Sequence, residues 1–149
     1  MITKQFILAG KAVFTVEIPA SYGSERGLKG HYTFKVCHKE ASAQYPEAWF
    51  VNLLTGPDNT SDYTYFGMLR PADGQLDLTA KSHHTESSKL VAVLRRVLAR
   101  VWAGEQDAIT AAGFNLHHEG KCCRCGRILT TPESVTSGIG PECAKKLGV

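Results

Sequence analysis

His118-Glu119-Gly120-Lys121-Cys122-Cys123-Arg124-Cys125-Gly126-Arg127, closing at Gly138-Ile139-Gly140-Pro141-Glu142-Cys143, is the stretch around which the chain is organised. Four of the five cysteines lie in it, and three of them fall with His118 into the spacing H-x3-C-x2-C-x17-C. Zinc takes thiolates and imidazoles at about 2.0 to 2.3 Å in a tetrahedron, and two cysteines separated by two residues can turn both sulfurs onto one ion. The predicted ligands are His118, Cys122, Cys125 and Cys143, around one structural zinc. His118 follows a predicted strand, Phe114 to His117, that leads into the knuckle, and His117 faces the opposite side if that strand is regular. His117, Cys37 and water are the alternatives for the fourth corner. Cys123, inside the C-x2-C pair, points away from the metal and reads as a small buried hydrophobe.

The distant ligand is placed by local rules. Gly138 and Gly140 allow a tight turn, Pro141 suits the first helical position, and Cys143 then sits in the first turn of a short helix that Gly148 can end. Arg127 to Thr130 reads as a short strand and Thr131 to Ser134 as a capped turn. That order describes a small treble-clef-like or ribbon-like module. A closed four-ligand site has no open position for water, so the metal is expected to be structural rather than catalytic.

The run HEGKCCRCGRILTTPESVTSGIGPEC resembles the C-terminal zinc domain of small phage and prophage proteins, a domain of unknown function of the form HEG-x-C-x-x-CGR-x-LT-x-P-x-S-x-x-x-G-x-GP-x-C. Upstream, WFVNLLTGPDNTSDYTYFG is similar to the N-terminal half of such proteins. The resemblance implies a zinc site and a mobile-element origin, and it implies no activity. Cys123 departs from the pattern.

The remaining sequence predicts an α+β body, an antiparallel sheet of five or six strands with one long helix against it. Phe6 to Ala9 leads into a strand over Ala12–Ile18. A glycine-containing loop over 21–30, carrying Arg26 and Lys29, reads either as a solvated loop or as a phosphate-binding one. His31–His38 alternates as a half-buried strand with Tyr32, Phe34 and Val36 on one side. Ala48–Thr55 and Asp62–Leu69 flank a Gly/Pro/Asp/Asn cluster and predict a hairpin, with Tyr63 and Tyr65 on the face opposite Phe66. Either a helix covers one face while the tyrosines pack edge-on at the other, or Tyr63, Tyr65 or Trp49 faces solvent as a stacking platform with Arg70 at its edge. Gly67 marks a bulge or a close backbone approach, and Gln75–Thr79 reads as a further strand. Ser87 opens a helix whose apolar stripe runs from Leu90 to Trp102, with Lys89, Arg95, Arg96 and Arg100 outside. Residues 1–112 form the sheet-and-helix domain and 113–149 the zinc-binding module. The module is too short to fold without its metal.

A net charge of +3 permits nucleic-acid binding without compelling it. No apolar run reaches membrane-spanning length, the N-terminus has no apolar leader, and clustered cysteines in a cytoplasmic protein read as metal ligands. No catalytic constellation is recognisable. Three functions follow as expectations. The first is a non-enzymatic phage protein that binds DNA or RNA through Lys121, Arg124 and Arg127 with Arg95, Arg96 and Arg100, acting in phage DNA metabolism or against host defence. The second is a module docking a host or phage protein. The least favoured is a nuclease.

Overall fold

The computed structural model describes residues 2–58, 60–129 and 137–148. Among these, the chain runs through α1 (Lys4–Leu8), β1 (Lys11–Glu17), α2 (Ala20–Gly23), a 3-10 turn (Ser24–Arg26), β2 (His31–Lys39), β3 (Ala48–Leu54), β4 (Tyr63–Leu69), β5 (Leu76–Asp77), α3 (Lys89–Trp102), α4 (Gln106–Ala111), β6 (Asn115–His118) and α5 (Pro141–Leu147). The strands form one antiparallel sheet in the order β5-β4-β3-β2-β1-β6. The architecture is α+β, as the alternation of the strands and the apolar period of the helix predict.

Period-two alternation divides the sheet into two faces. Ala12, Phe14 and Val16 of β1, Phe34 and Val36 of β2, and Val51 and Leu53 of β3 are buried on one of them. They form a single core with Leu90, Val91, Val93, Leu94, Val97, Leu98 and Val101, the whole apolar stripe of α3. The helix starts one residue later than its Ser87 signal, at the cap Ser88, whose hydroxyl accepts the Val91 N–H. The opposite face carries Lys11, Val13 and Thr15, then Lys35 and Cys37, then Phe50 and Asn52, then Tyr63 and Tyr65. All but the exposed Lys11 are half-buried. None of these is part of the core.

A bulge lets β4 serve both faces. Val51 pairs with Gly67 but Asn52 pairs with Tyr65, so Phe66 is the extra residue and turns into the core. Its ring meets Phe34 edge-on at 5.4 Å between centroids. Gly67 meets the other expectation too. A Cβ there would lie 2.9 Å from the Asp77 carbonyl oxygen and 3.0 Å from Leu76, because β5 runs close beside it.

The lead-in around Phe6, to which the sequence assigned no element, is helical, because Thr3 caps it by accepting the Phe6 N–H at 3.1 Å and Phe6 and Ile7 both bury inward. Two local expectations are corrected. The loop over 21–30 is largely ordered as α2 and the 3-10 turn. Arg26 folds back over the Tyr22 ring, 3.8 Å from its centroid, and donates to the Tyr22 carbonyl at 2.8 Å. The strand after the Pro71 turn is only the pair Leu76–Asp77. The turn expected over 131–134 lies outside the described residues.

The tail is joined to the body at several points. β6 pairs with β1 as the edge of the same sheet, with Phe14 opposite His118. The Lys11 N–H donates to the Cys123 carbonyl at 2.7 Å. Cys122, Cys123, Leu129, Ile139 and Cys143 belong to the same buried cluster as Phe6 and Phe14. The Phe6 ring fills the space a side chain at Gly138 would need, and Gly138 has a left-handed φ of 77° that also favours glycine.

Gly67→Ala is expected to destabilise the protein by about 1–3 kcal/mol, because the new methyl must displace a strand backbone rather than a flexible side chain. Denaturant unfolding measures it, and a variant as stable as the parent would show that β5 is free to move away.

Candidate metal centre

The knuckle is closed by its own backbone. The Cys122 N–H donates to the Arg127 carbonyl at 2.7 Å, Gly126 to Cys122 at 2.9 Å and Leu129 to Gly120 at 2.8 Å, and Lys121 bridges to Ile128. The Cys123 N–H reaches the Gly138 carbonyl at 2.8 Å and so ties the knuckle to the turn before α5. Gly140 caps that helix, Pro141 opens it, and Gly148 ends it in a left-handed conformation, as the sequence predicts. Cys143 is buried in its first turn.

These elements bring the sulfurs of Cys122, Cys125 and Cys143 within 4.8 Å of one another. Four thiolates or imidazoles around one zinc-sized ion place ligand atoms about 3.8 Å apart, so the donor set is close to the geometry a single metal ion needs. The electrostatics agree. Burial pushes the Cys122 thiol up, but the backbone N–H groups of Gly140, Cys125 and Arg124, at 3.2, 3.5 and 3.4 Å from its sulfur, outweigh burial and hold it down at about 7. Cys143 moves the other way. The Arg124 guanidinium, donating to its sulfur at 3.6 Å, favours the thiolate, but burial and the adjoining Cys125 and Cys122 sulfurs raise it on balance. A thiolate at Cys122 opposes ionisation of Cys143 beside it, and a cation between the two sulfurs would relieve that opposition. Three cysteines therefore form a group that could bind a metal ion.

His118 lies outside this group of mutually close ligand atoms. It faces the core side of the sheet, with its ring 5.9 Å from that of Phe6, and its Nδ1 accepts the Gly120 N–H at 2.9 Å. His117, the alternative, points to the other face, and its Nε2 stands 3.0 Å from the Glu17 carboxylate. Cys37 is on that other face as well. Cys123 is buried away from the three sulfurs, its thiol pushed up to about 12 first by burial and then by Cys122.

Residues 117–148 match the model of a family of unknown function, DUF6011. The match covers the end of β6, the knuckle and α5, the segments that assemble the three sulfurs. The chain has no match among curated proteins. It has none among solved structures either.

The six basic residues singled out in the sequence separate. Arg95 is half-buried, ion-paired with Glu86, and donates to the Leu76 carbonyl at 2.9 and 3.1 Å. Arg100 pairs with Glu105 at 3.2 Å. Arg96 is exposed on α3, beside an apolar pocket containing Tyr22, Val97 and Phe114. Arg124 is turned to Cys143, and Arg127 stands on the cavity beside the sulfurs. Lys121 alone joins the face of the sheet opposite α3, which among the described residues is helix-free, and there it lines a groove with Lys11, Lys35, Thr60 and Glu119. Because α3 packs on the core face, its arginines and this groove lie on opposite sides of the sheet. Sequence reasoning missed Lys11 and Lys35. Their alternation with the buried Ala12, Phe14, Phe34 and Val36 was the signal that could have found them.

Arg124→Ala is expected to weaken metal binding by about 10- to 100-fold, the usual cost of removing a group that supports a ligand from behind. Competition with a chromophoric chelator reads this out, and unchanged affinity would make the guanidinium interaction incidental.

Proposed function

We propose that this is a non-enzymatic nucleic-acid-binding protein of a phage or other mobile element, with its C-terminal segment held by one structural zinc. Zinc suits a cluster of thiolates that includes an imidazole, and the knuckle, turn and ligand helix follow one another as in a treble-clef-like module. We assign the fourth corner to His118. Its ring stands beside Phe6 and Gly138, next to the turn that leads to Cys143. Ligation through Nδ1 requires it to release the Gly120 N–H. A closed site of this kind organises the tail and leaves no position for a reacting water.

The observation that carries the binding reading is the character of the helix-free face. Among the described residues, Lys11, Lys35 and Lys121 make no ion pair, yet they line one groove with a single carboxylate, Glu119. The same face carries Phe50, Tyr63 and Tyr65, with the Lys35 ammonium 5.4 Å from the Tyr63 ring centroid. Uncompensated lysines beside aromatic rings suit a polymer of phosphates and bases. Roles in phage DNA metabolism or in countering host defence fit such an activity.

Docking of a host or phage protein is the second reading, and one feature favours it. Ile128, on the metal module, is 75% exposed, and Leu147 is 42% exposed. The two readings diverge in salt. Binding to nucleic acid by the metal-loaded protein is expected to weaken steeply as salt rises, with a log–log slope near −2 to −3 for about three phosphates held. Absent or salt-insensitive binding in a titration of a labelled oligonucleotide would turn the assignment toward the protein partner.

A further inference from the structure

We propose that the groove of Lys11, Lys35 and Lys121 is a backbone-phosphate site for single-stranded nucleic acid, whose bases stack over Phe50 and Tyr65. The inference rests on the nucleic-acid reading above and narrows it to one face and one strand state.

The register supplies the geometry. Lys11 pairs with Cys37, which pairs with Phe50, and Lys35 pairs with Asn52, which pairs with Tyr65. Phe50 therefore lies two strands from Lys11, and Tyr65 two strands from Lys35. Neighbouring strands are about 4.8 Å apart, so the cationic end of each row and its aromatic end are separated by about 10 Å. That is the scale of one nucleotide from phosphate to base, with the lysine side chain supplying the remaining reach. A strand crossing the sheet places its backbone along the lysines and its bases along the rings.

The groove is lined by more than the sheet, since Thr60 of the β3–β4 connection and Glu119, Lys121 and Gly126 of the knuckle all border it. The metal module therefore contributes part of the lining and one of the three charges, which gives the thiolate cluster a bearing on this surface. Tyr63 lies beside the groove, its ring centroid 5.4 Å from the Lys35 ammonium. Its hydroxyl is buried without a hydrogen-bond partner among the described residues, and burial, then Glu119 and Cys37, push its phenol up to about 12. It is neutral at any ordinary pH and adds no charge to oppose a phosphate.

A single strand fits better than a duplex for two reasons. Stacking on a sheet needs bases that are unpaired and splayed, because paired bases present only their edges. A duplex is read by an element that projects into a groove, and the helix available for this, α3, has its Arg95 and Arg100 engaged with Glu86 and Glu105. Phe50 and Tyr65 meet edge-on at 6.1 Å between centroids, so each is held by the other in a defined orientation before a ligand arrives.

Fluorescence anisotropy with the metal-loaded full chain tests this, using labelled 20-mers of dT, of rU and of a mixed-sequence duplex. Single strands are expected to bind more tightly than duplex, with the dT and rU arms separating DNA from RNA as the source of the strand. Lys35→Glu and Lys121→Glu should each lower affinity at least several-fold and flatten the salt slope by about 0.7 for each phosphate no longer neutralised. Phe50→Ala or Tyr65→Ala should cost about 5- to 100-fold with the salt slope unchanged. Lys35→Gln and Lys121→Gln, which remove the charge and add no repulsion, guard against a folding effect and should show the same flattening. Lys89→Gln, at the exposed start of α3 on the other side of the sheet, should change nothing. Binding that survives all the lysine and aromatic changes, or that prefers duplex, overturns the proposal while leaving nucleic-acid binding intact. Loss of binding in every arm of the unaltered protein overturns the broader reading with it.

Discussion

Three cysteine sulfurs within 4.8 Å of one another, one of them receiving three backbone N–H groups, impose the constraint on which the C-terminal part of the molecule rests. The N–H groups favour a thiolate at Cys122, and Cys143 beside it is then penalised for ionising. A cation relieves that conflict directly and converts crowding into cohesion. The knuckle, the turn at Gly138 and the short helix α5 each have good local reasons to form.

The cysteine cluster is also an extension of the core. Cys122 and Cys143 are buried with Phe6 and Phe14, and the Lys11–Cys123 hydrogen bond continues the edge of the sheet into the knuckle. Ordering of the cluster is thereby coupled to the edge formed by β1 and β6. On the other side of that edge the knuckle supplies Lys121 and Glu119 to the groove on the helix-free face. One bound ion can thus shape a surface that none of its ligands touches.

The sequence made the alternating strands, the hairpin and the long helix legible, because burial on one face imposes periods that survive in the residue pattern. Tyr32, Phe34 and Val36 announced β2, and Leu90 to Val101 announced α3. The knuckle and α5 were legible because the C-x2-C spacing and helix capping each tie residue types to fixed positions. Less visible were features set by distant parts of the chain. The Phe6 helix depends on Thr3 as a cap and on a tail that packs against it from more than a hundred residues away. Arg95 looked like a free surface charge because its partner Glu86 and the Leu76 carbonyl approach only in three dimensions. Lys11 and Lys35 looked like ordinary polar positions on half-buried strands, and only strand order and the return of the knuckle bring them beside Lys121.

Metal content with and without a chelator bears on the central claim most directly. Native protein should carry one equivalent of zinc by elemental analysis. Its removal should sharply raise backbone hydrogen exchange over residues 118–129 and 137–148, while β2, β3 and α3 stay protected. Protein that contains no stoichiometric metal, or whose C-terminal segment keeps its protection after chelation, would contradict the account.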